Sequence, residues 1–300
     1  MNPAQFTDVA KFLLVNPDAR ELVAIADERL GCSIIDRYAE TEGDYSHYAQ
    51  VAFLVSCLAL ARGIERTRGV RPGWCTGPSF GGKAAAVYSG VLSPAEGIWL
   101  TVEIARCLDE YFAVEHTDAV TLSFARTPPS RLREISDELE AQGVWHEVSC
   151  RVDDDLAMLT LPEDRVDWLA GRLRAAGGMP LYVMRPPMHC AAFAGLARKV
   201  DDEVLSALTF ADPTVPVVDD HDGTLLTTGE QVRSMLLDGF TRPVDWPSVV
   251  ASLRGRGVRD LYVCGQDGLF GRVGRTTSAF SVVLVDPRSA MARRRRRPAA

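Results

Sequence analysis

A chain of 300 residues, 47% hydrophobic and 24% charged, has room for two domains or for one large α/β unit with an insertion, and fibrous or wholly disordered architectures are excluded. Its formal charge of −7 gives no electrostatic reason to hold a polyphosphate, so nucleic acid is not expected as a partner. Seven scattered cysteines without a CxxC pair suggest neither a disulfide framework nor a zinc site, and a reducing cytoplasm is the expected setting.

The first residues show no basic segment followed by an apolar core, and the uninterrupted apolar runs fall short of the roughly 18 residues of a membrane span, so neither export nor a membrane is expected. Residues 1–118 read mainly as helices. Leu22, Val23, Ile25, Ala26 and Leu30 keep helical spacing before Gly31, and residues 51–61 are apolar nearly all round, which marks a buried helix. A short strand over residues 73–76, a tight turn Gly77-Pro78-Ser79-Phe80-Gly81 and a helix opening on Gly82-Lys83-Ala84-Ala85-Ala86 follow.

Between residues 119 and 185 the pattern becomes βαββαβ: strands over 120–125, 145–152, 156–161 and 181–184, and helices over 130–142 and 164–176. Pro128-Pro129-Ser130 supplies the expected N-cap and Asp153-Asp154-Asp155 the central hairpin of a ferredoxin-like small subdomain inserted into a large one made of 1–118 and 186–300. The remainder returns to α/β alternation, with strands over 215–218 and 260–264 and helices over 230–237 and 246–253. The arginine run over residues 293–297 reads as a solvated end.

Gly77-Pro78-Ser79-Phe80-Gly81 fits G-x-S-x-G, in which flanking glycines let a sharp strand-to-helix turn expose a serine hydroxyl. The string alone is weak, since a glycine-rich turn gives the same pattern; its place between strand and helix adds the helix N-terminus and the Phe80 amide as stabilisers of an oxyanion. Of five histidines, His47, His116, His146 and His221 fall in polar boundary or turn positions and read as surface residues. His189 follows Arg185-Pro186-Pro187-Met188, where the small subdomain hands the chain back, and is the candidate base.

Several segments in register resemble the malonyl-CoA:acyl-carrier-protein transacylases and the acyltransferase domains of polyketide synthases. Gly77-Pro78-Ser79-Phe80-Gly81-Gly82 stands where that family has GHSxGE, Ala49-Gln50-Val51-Ala52-Phe53 for T-Q-P-A-L, and Pro187-Met188-His189-Cys190 for its F-H-S stretch. Residues 216–223, Pro-Val-Val-Asp-Asp-His-Asp-Gly, look like P-V-x-S-N-V-D-G, and Thr241-Arg242-Pro243-Val244-Asp245-Trp246 is close to T-S-P-V-R-W. The resemblance implies an α/β-hydrolase-like large subdomain with a parallel sheet, and a Ser79–His189 pair running ping-pong acyl transfer between thioesters. It also implies acyl-CoA or acyl-carrier-protein substrates, a carrier protein as partner, and neither cofactor nor metal. His189 would be oriented by a backbone carbonyl of the Gly265-Gln266-Asp267-Gly268 turn, with Phe80 and Gln50 as support, although Gln50 reads equally as a polar cap on a buried helix. Pro78 and Met188 flank the pair and would line the acyl site.

The departures are specific. The family opens with a strand and a P-G-Q-G-S-Q loop whose glutamine completes the oxyanion hole, whereas this chain runs from Met1-Asn2-Pro3 straight into helix. Pro78 and Gly82 replace a histidine and a glutamate. In the resemblance the arginine that clamps a malonyl carboxylate falls on Ile104; Arg106, about 200° further round the helix, is the clamp instead if the register slips by two residues, and both positions are substrate-site candidates. The expectation is therefore a monomeric, standalone acyltransferase of polyketide-type metabolism that moves a non-carboxylated acyl group. The alternatives are an acyl-thioester hydrolase and a catalytically silent carrier-binding module.

Overall fold

The computed structural model describes residues 3–41, 46–266 and 268–292, with side chains from residue 7 onward; the arginine run and Asp267 lie outside the described residues. Six helices come first: α1 Pro3–Val15, α2 Pro17–Leu30, α3 Ile34–Glu40, α4 His47–Arg68, α5 Gly81–Tyr88 and α6 Pro94–Phe112. Their ends follow from local chemistry. Asn16 Oδ1 accepts from the Ala19 amide and Pro17 fills the first turn of α2, which stops at Gly31 with φ 67°. Ser46 caps α4, Gly69 ends it at φ 64°, and a Ser93–Glu96 capping box opens α6.

By length and composition α4 is apolar enough to cross a membrane, with mean hydropathy 1.3 over its best window. Its faces are instead covered by α2, α5 and α6, and Val51, Ala52, Leu54 and Leu60 are buried at the centre of the core. The run that reads as a buried helix is the spine of the helical half.

The inserted unit forms as read from the sequence: β1 Ala119–Ala125, α7 Pro129–Ala141, β2 Glu147–Arg151, β3 Ala157–Pro162, α8 Val166–Ala175 and β4 Met179–Met184. Its strands lie in the order β4-β1-β3-β2, all antiparallel, and α7 and α8 bury Ile135, Leu139, Leu169 and Leu173 against Leu122, Phe124 and Leu159. The helix cap differs: Pro128 is the N-cap, and Ser130 sits inside the first turn without capping it.

The rest of the chain adds β5 Val217–Val218, β6 Leu225–Leu226, β7 Val244–Asp245, β8 Asp260–Cys264 and β9 Ser281–Val285. Its helices are α9 Ala194–Glu203, α10 Gly229–Asp238, α11 Trp246–Gly255, α12 Leu269–Arg272, α13 Gly274–Ala279 and α14 Pro287–Met291. β7 pairs parallel to β2 and so joins the small sheet to the large body. At the β2–β3 hairpin, Asp153 accepts from the Gly274 and Arg275 amides at 2.7 and 3.2 Å, a second tie between the two parts.

The parallel sheet expected in the large part is present only as short pieces. β8 and β9 run parallel, and the strand expected at residues 73–76 reduces to one parallel bridge, Cys75 with Val217. Pro72 and Pro216 lack the amides that would lengthen the ladder. Among the described residues no strand joins Cys75 to β8, and a cleft of about 1060 Å³ separates them.

α5 meets α6 at Gly97, where a Cβ would lie 2.2 Å from Val87 Cγ2. Gly97→Ala is expected to lower stability by about 1–3 kcal/mol through overpacking. Urea unfolding measures it, and an unchanged midpoint would contradict the close approach.

Candidate active site

Ser79 sits at φ 55°, a left-handed conformation rarely held by a residue with a side chain. Three features hold the turn. A Cβ on Gly77 would lie 2.0 Å from the Gly81 carbonyl oxygen, so only glycine fits there. The Gly81 and Gly82 amides donate to the Pro78 and Ser79 carbonyls at 3.0 and 2.9 Å and start α5. The Ser79 amide itself donates to Asp220 Oδ2 at 2.8 Å. The hydroxyl is thereby presented at the helix N-terminus beside the Phe80 amide, as the sequence pattern implies.

His189 comes from the segment between β4 and α9, also at positive φ (65°), and its Nε2 lies 2.8 Å from Ser79 Oγ. The Cys190 amide, bonded to the Phe240 carbonyl, fixes the segment. Burial, reinforced by the neighbouring His221, pushes the His189 pKa down to about 3, although the Gly239 and Arg242 carbonyls favour the protonated ring. At neutral pH the ring is a neutral acceptor for the serine proton, with its own proton on Nδ1. His189 Nδ1 is buried without a hydrogen-bond partner, so no carbonyl of the described residues, including those of the Gly265–Gln266 turn expected from the resemblance, is bonded to it. Gly265 and Gln266 instead line the cleft where β8 ends.

Three further expectations are corrected. His221, read as a surface residue, has a fully buried side chain: its amide donates to Asp219 Oδ1 at 2.7 Å, its Nδ1 lies 3.0 Å from the Pro243 carbonyl, and its Nε2 faces Asp220 Oδ1 at 3.6 Å. Ile104 is 5% exposed within the helical core and does not line the cleft, because its helical phase turns it toward the core. Arg106 lies outside the cleft as well, held on the surface by Glu103, Glu110 and Glu203 at 2.9, 2.9 and 3.1 Å.

Gln50 is buried on the cleft wall, and its Oε1 accepts from Lys83 Nζ at 3.0 Å. Lys83, one turn past Ser79 on α5, was not singled out as functional, although a lysine among alanines was a visible signal. Its ammonium lies 5.1 Å from the Phe80 ring centroid, and burial lowers its pKa to about 7. Pro78, Met188, Ser79 and His189 all line the cleft, whose floor is Phe53, Cys57 and Ile64 of α4 and whose far wall is β8. Two thiols near the pair are poor competitors, since burial pushes both Cys75 and Cys190 up to about 12.

Asp219, Asp220 and His221 form the one three-residue grouping with metal-ligand geometry among the described residues. Asp219 Oδ1 and Asp220 Oδ2 accept from backbone amides and His221 Nδ1 donates to a carbonyl, while His221 Nε2 is buried without a hydrogen-bond partner.

Because the folded pKa of Lys83 lies below its ordinary value of 10.5, the unfolded chain binds more protons between about pH 7 and 10.5, and this lysine's contribution to stability is lost as pH falls through that window. Lys83→Met is expected to stabilise the protein more at pH 6 than at pH 9, as read from urea midpoints; an equal gain at both would contradict burial of the charge.

The geometry agrees with three comparisons. A family model of the VinK acyltransferase small domain matches residues 123–184, from within β1 to the end of β4. The chain is 29% identical over 247 residues to the malonyl CoA-acyl carrier protein transacylase of Escherichia coli K12, covering 81% of this chain and 78% of that protein. It is 29% identical over 197 residues to a non-reducing polyketide synthase of Gibberella zeae, covering 63% of this chain and 9% of that protein. The fold superposes with a TM-score of 0.80 on a malonyl-transacylase solved with a type II polyketide synthase acyl-carrier protein, at 22% identity and covering 93% of this chain and 91% of that one. It superposes with a TM-score of 0.82 on the acyl-carrier-protein S-malonyltransferase of Burkholderia pseudomallei, at 19% identity and covering 94% and 93%. The chain is similar over most of its length to malonyl CoA-acyl carrier protein transacylases, and its inserted unit matches the VinK acyltransferase small domain.

Proposed function

We propose that the protein is an acyltransferase that takes an uncharged acyl group from a thioester onto Ser79 and passes it to the thiol of an acyl carrier protein. The single observation that carries the reading is the 2.8 Å contact between Ser79 Oγ and a neutral, buried His189 at the edge of the cleft. Relatives named as transacylases acting with acyl carrier proteins support the donor and acceptor classes. Seven free cysteines support a reducing, cytoplasmic setting.

In the first half-reaction Ser79 gives its proton to His189 Nε2 as Oγ attacks the thioester carbon. The Phe80 amide and the N-terminus of α5 face the developing oxyanion. Collapse breaks the C–S bond, and the leaving thiol takes the proton from His189. The second half-reaction reverses these steps with a different thiol.

The acyl class follows from the cleft. Its floor carries Phe53, Leu58 and Ile64, while its arginines, Arg71, Arg259 and Arg272, are exposed residues. An unpaired carboxylate taken into such surroundings costs several kcal/mol, whereas each buried methylene contributes about 0.8 kcal/mol. Ile104 and Arg106 do not decide this, because neither reaches the cleft.

Intact-mass measurement after incubation with acetyl, hexanoyl, decanoyl and malonyl thioesters tests the proposal. Neutral acyl groups are expected to label the protein at least tenfold faster than malonyl; the label should vanish in Ser79→Ala and persist in Cys75→Ser. Faster labelling by malonyl would overturn the substrate class, and discharge by water as fast as by a carrier-protein thiol would make the protein a hydrolase.

A further inference from the structure

Lys83 stands one turn past Ser79 on α5 and takes no part in the reaction steps above. It is 7% exposed, yet no carboxylate among the described residues lies within ion-pair reach of its Nζ, and burial is the only cause that displaces its pKa. A lysine buried without an acid weakens the fold. Its two partners both belong to the cleft wall: Nζ donates to Gln50 Oε1 at 3.0 Å and lies 5.1 Å from the centroid of the Phe80 ring.

Phe80 needs a hold of this kind. Ser79 is fixed from two sides, by its amide on Asp220 and by its carbonyl under the Gly82 amide. Phe80, next in the chain, is the N-cap of α5 without a side-chain cap bond, and among the described residues its half-buried ring belongs to none of the three apolar cores. The amide that faces the oxyanion therefore sits on a residue that the core does not anchor. Gln50 comes from α4, the buried spine of the helical half, so Lys83 connects the Phe80 ring to a part of the fold that cannot easily move.

We propose that Lys83 is a positioning residue for acyl transfer: anchored to α4 through Gln50, it holds the Phe80 ring and thereby keeps the Phe80 amide aimed at the oxyanion. The inference rests on the acyltransferase reading only for the identity of the oxygen that the amide meets. An ammonium carries three hydrogens, enough to serve the Gln50 oxygen and the face of the ring together, and an aromatic face attracts a cation. No bond forms or breaks at Lys83 and no proton leaves it. The charge that the amide meets appears on the thioester oxygen as Ser79 Oγ attacks, and it is gone when the C–S bond breaks. A buried residue that weakens the fold and touches the cleft wall on both sides shows function placed ahead of stability.

The test uses an alkyl fluorophosphonate, which reports the activation of Ser79 without any acyl donor: Oγ displaces fluoride at phosphorus, His189 takes the hydroxyl proton, and the phosphoryl oxygen stands in for the oxyanion. In Lys83→Met the maximal labelling rate is expected to fall about tenfold or more at an unaltered half-saturating concentration, while the urea midpoint at pH 6 rises. Gln50→Leu is expected to slow labelling to a similar extent. Lys83→Met should then cost nothing further in the Gln50→Leu background, because both changes break one contact. Unaltered labelling in Lys83→Met, or losses that multiply in the double variant, would overturn the proposal. A midpoint that falls together with the rate would do the same and leave Lys83 a structural residue. Should Gln50→Leu fail to fold, Phe80→Leu, which keeps the amide and removes the ring face, takes its place with the same expectation. Labelling by the phosphonate but by no acyl thioester would keep the positioning role and overturn the acyltransferase reading. No phosphonate labelling of the unaltered protein would overturn the positioning role itself.

Discussion

One hydrogen bond ties together residues 141 positions apart: the Ser79 amide on the Asp220 carboxylate. A residue with a side chain at φ 55° costs of order 1–3 kcal/mol and persists only where the surroundings over-determine it. Here the turn is bounded by Gly77, whose hydrogen is all the space allows, by the first turn of α5, and by this carboxylate. His189 is held in the same conformational region on the facing segment. Both Ser79 and His189 are thus strained locally and kept in place by packing from distant parts of the chain, which is why a single fold is needed to bring 2.8 Å into being.

The helical half and the inserted small unit were legible in the sequence because their signals are local. Asn16 with Pro17 and Gly31, and Ser93 with Glu96, name helix ends without help from tertiary structure, and the alternation from residue 119 to 185 fixes βαββαβ. The closeness of Ser79 and His189, 2.8 Å apart, was legible because a serine on a G-x-S-x-G turn limits the place of its partner. Asp220 and His221 were not: Asp-Asp-His-Asp-Gly has the composition of an exposed turn, and only contact with the Ser79 turn and with Pro243 buries it. Ile104 shows the converse, since a correct count along the chain does not fix the helical phase that turned it into the core. The β9 run Ser-Val-Val-Leu-Val carried a strand signal of the same kind as β8, and their pairing explains why both survive as a parallel two-stranded piece.

The two parts of the molecule meet through backbone as well as side chains. β7 extends the small sheet by one short parallel strand at Cys150 and Arg151, and Asp153, two residues further on in the turn of the same hairpin, receives two amides from α13. β7 is followed at once by α11, capped by Asp245, and preceded by Pro243, whose carbonyl holds His221. Movement of the small sheet relative to the large body therefore reaches the Asp220–His221 turn through two residues of chain.

The cleft between Cys75 and β8 also makes the thermodynamics of this protein depend on its surroundings. A cavity of about 1060 Å³ with an aliphatic and aromatic floor leaves the residues around it without the dispersion contacts that an interior normally provides. Any occupant that enters the folded chain and not the unfolded one raises stability by RT ln(1 + [L]/Kd), about 2.7 kcal/mol at a concentration one hundred times Kd. The melting temperature of this protein is consequently no fixed constant of its sequence: it rises with the concentration of whatever occupies the cleft.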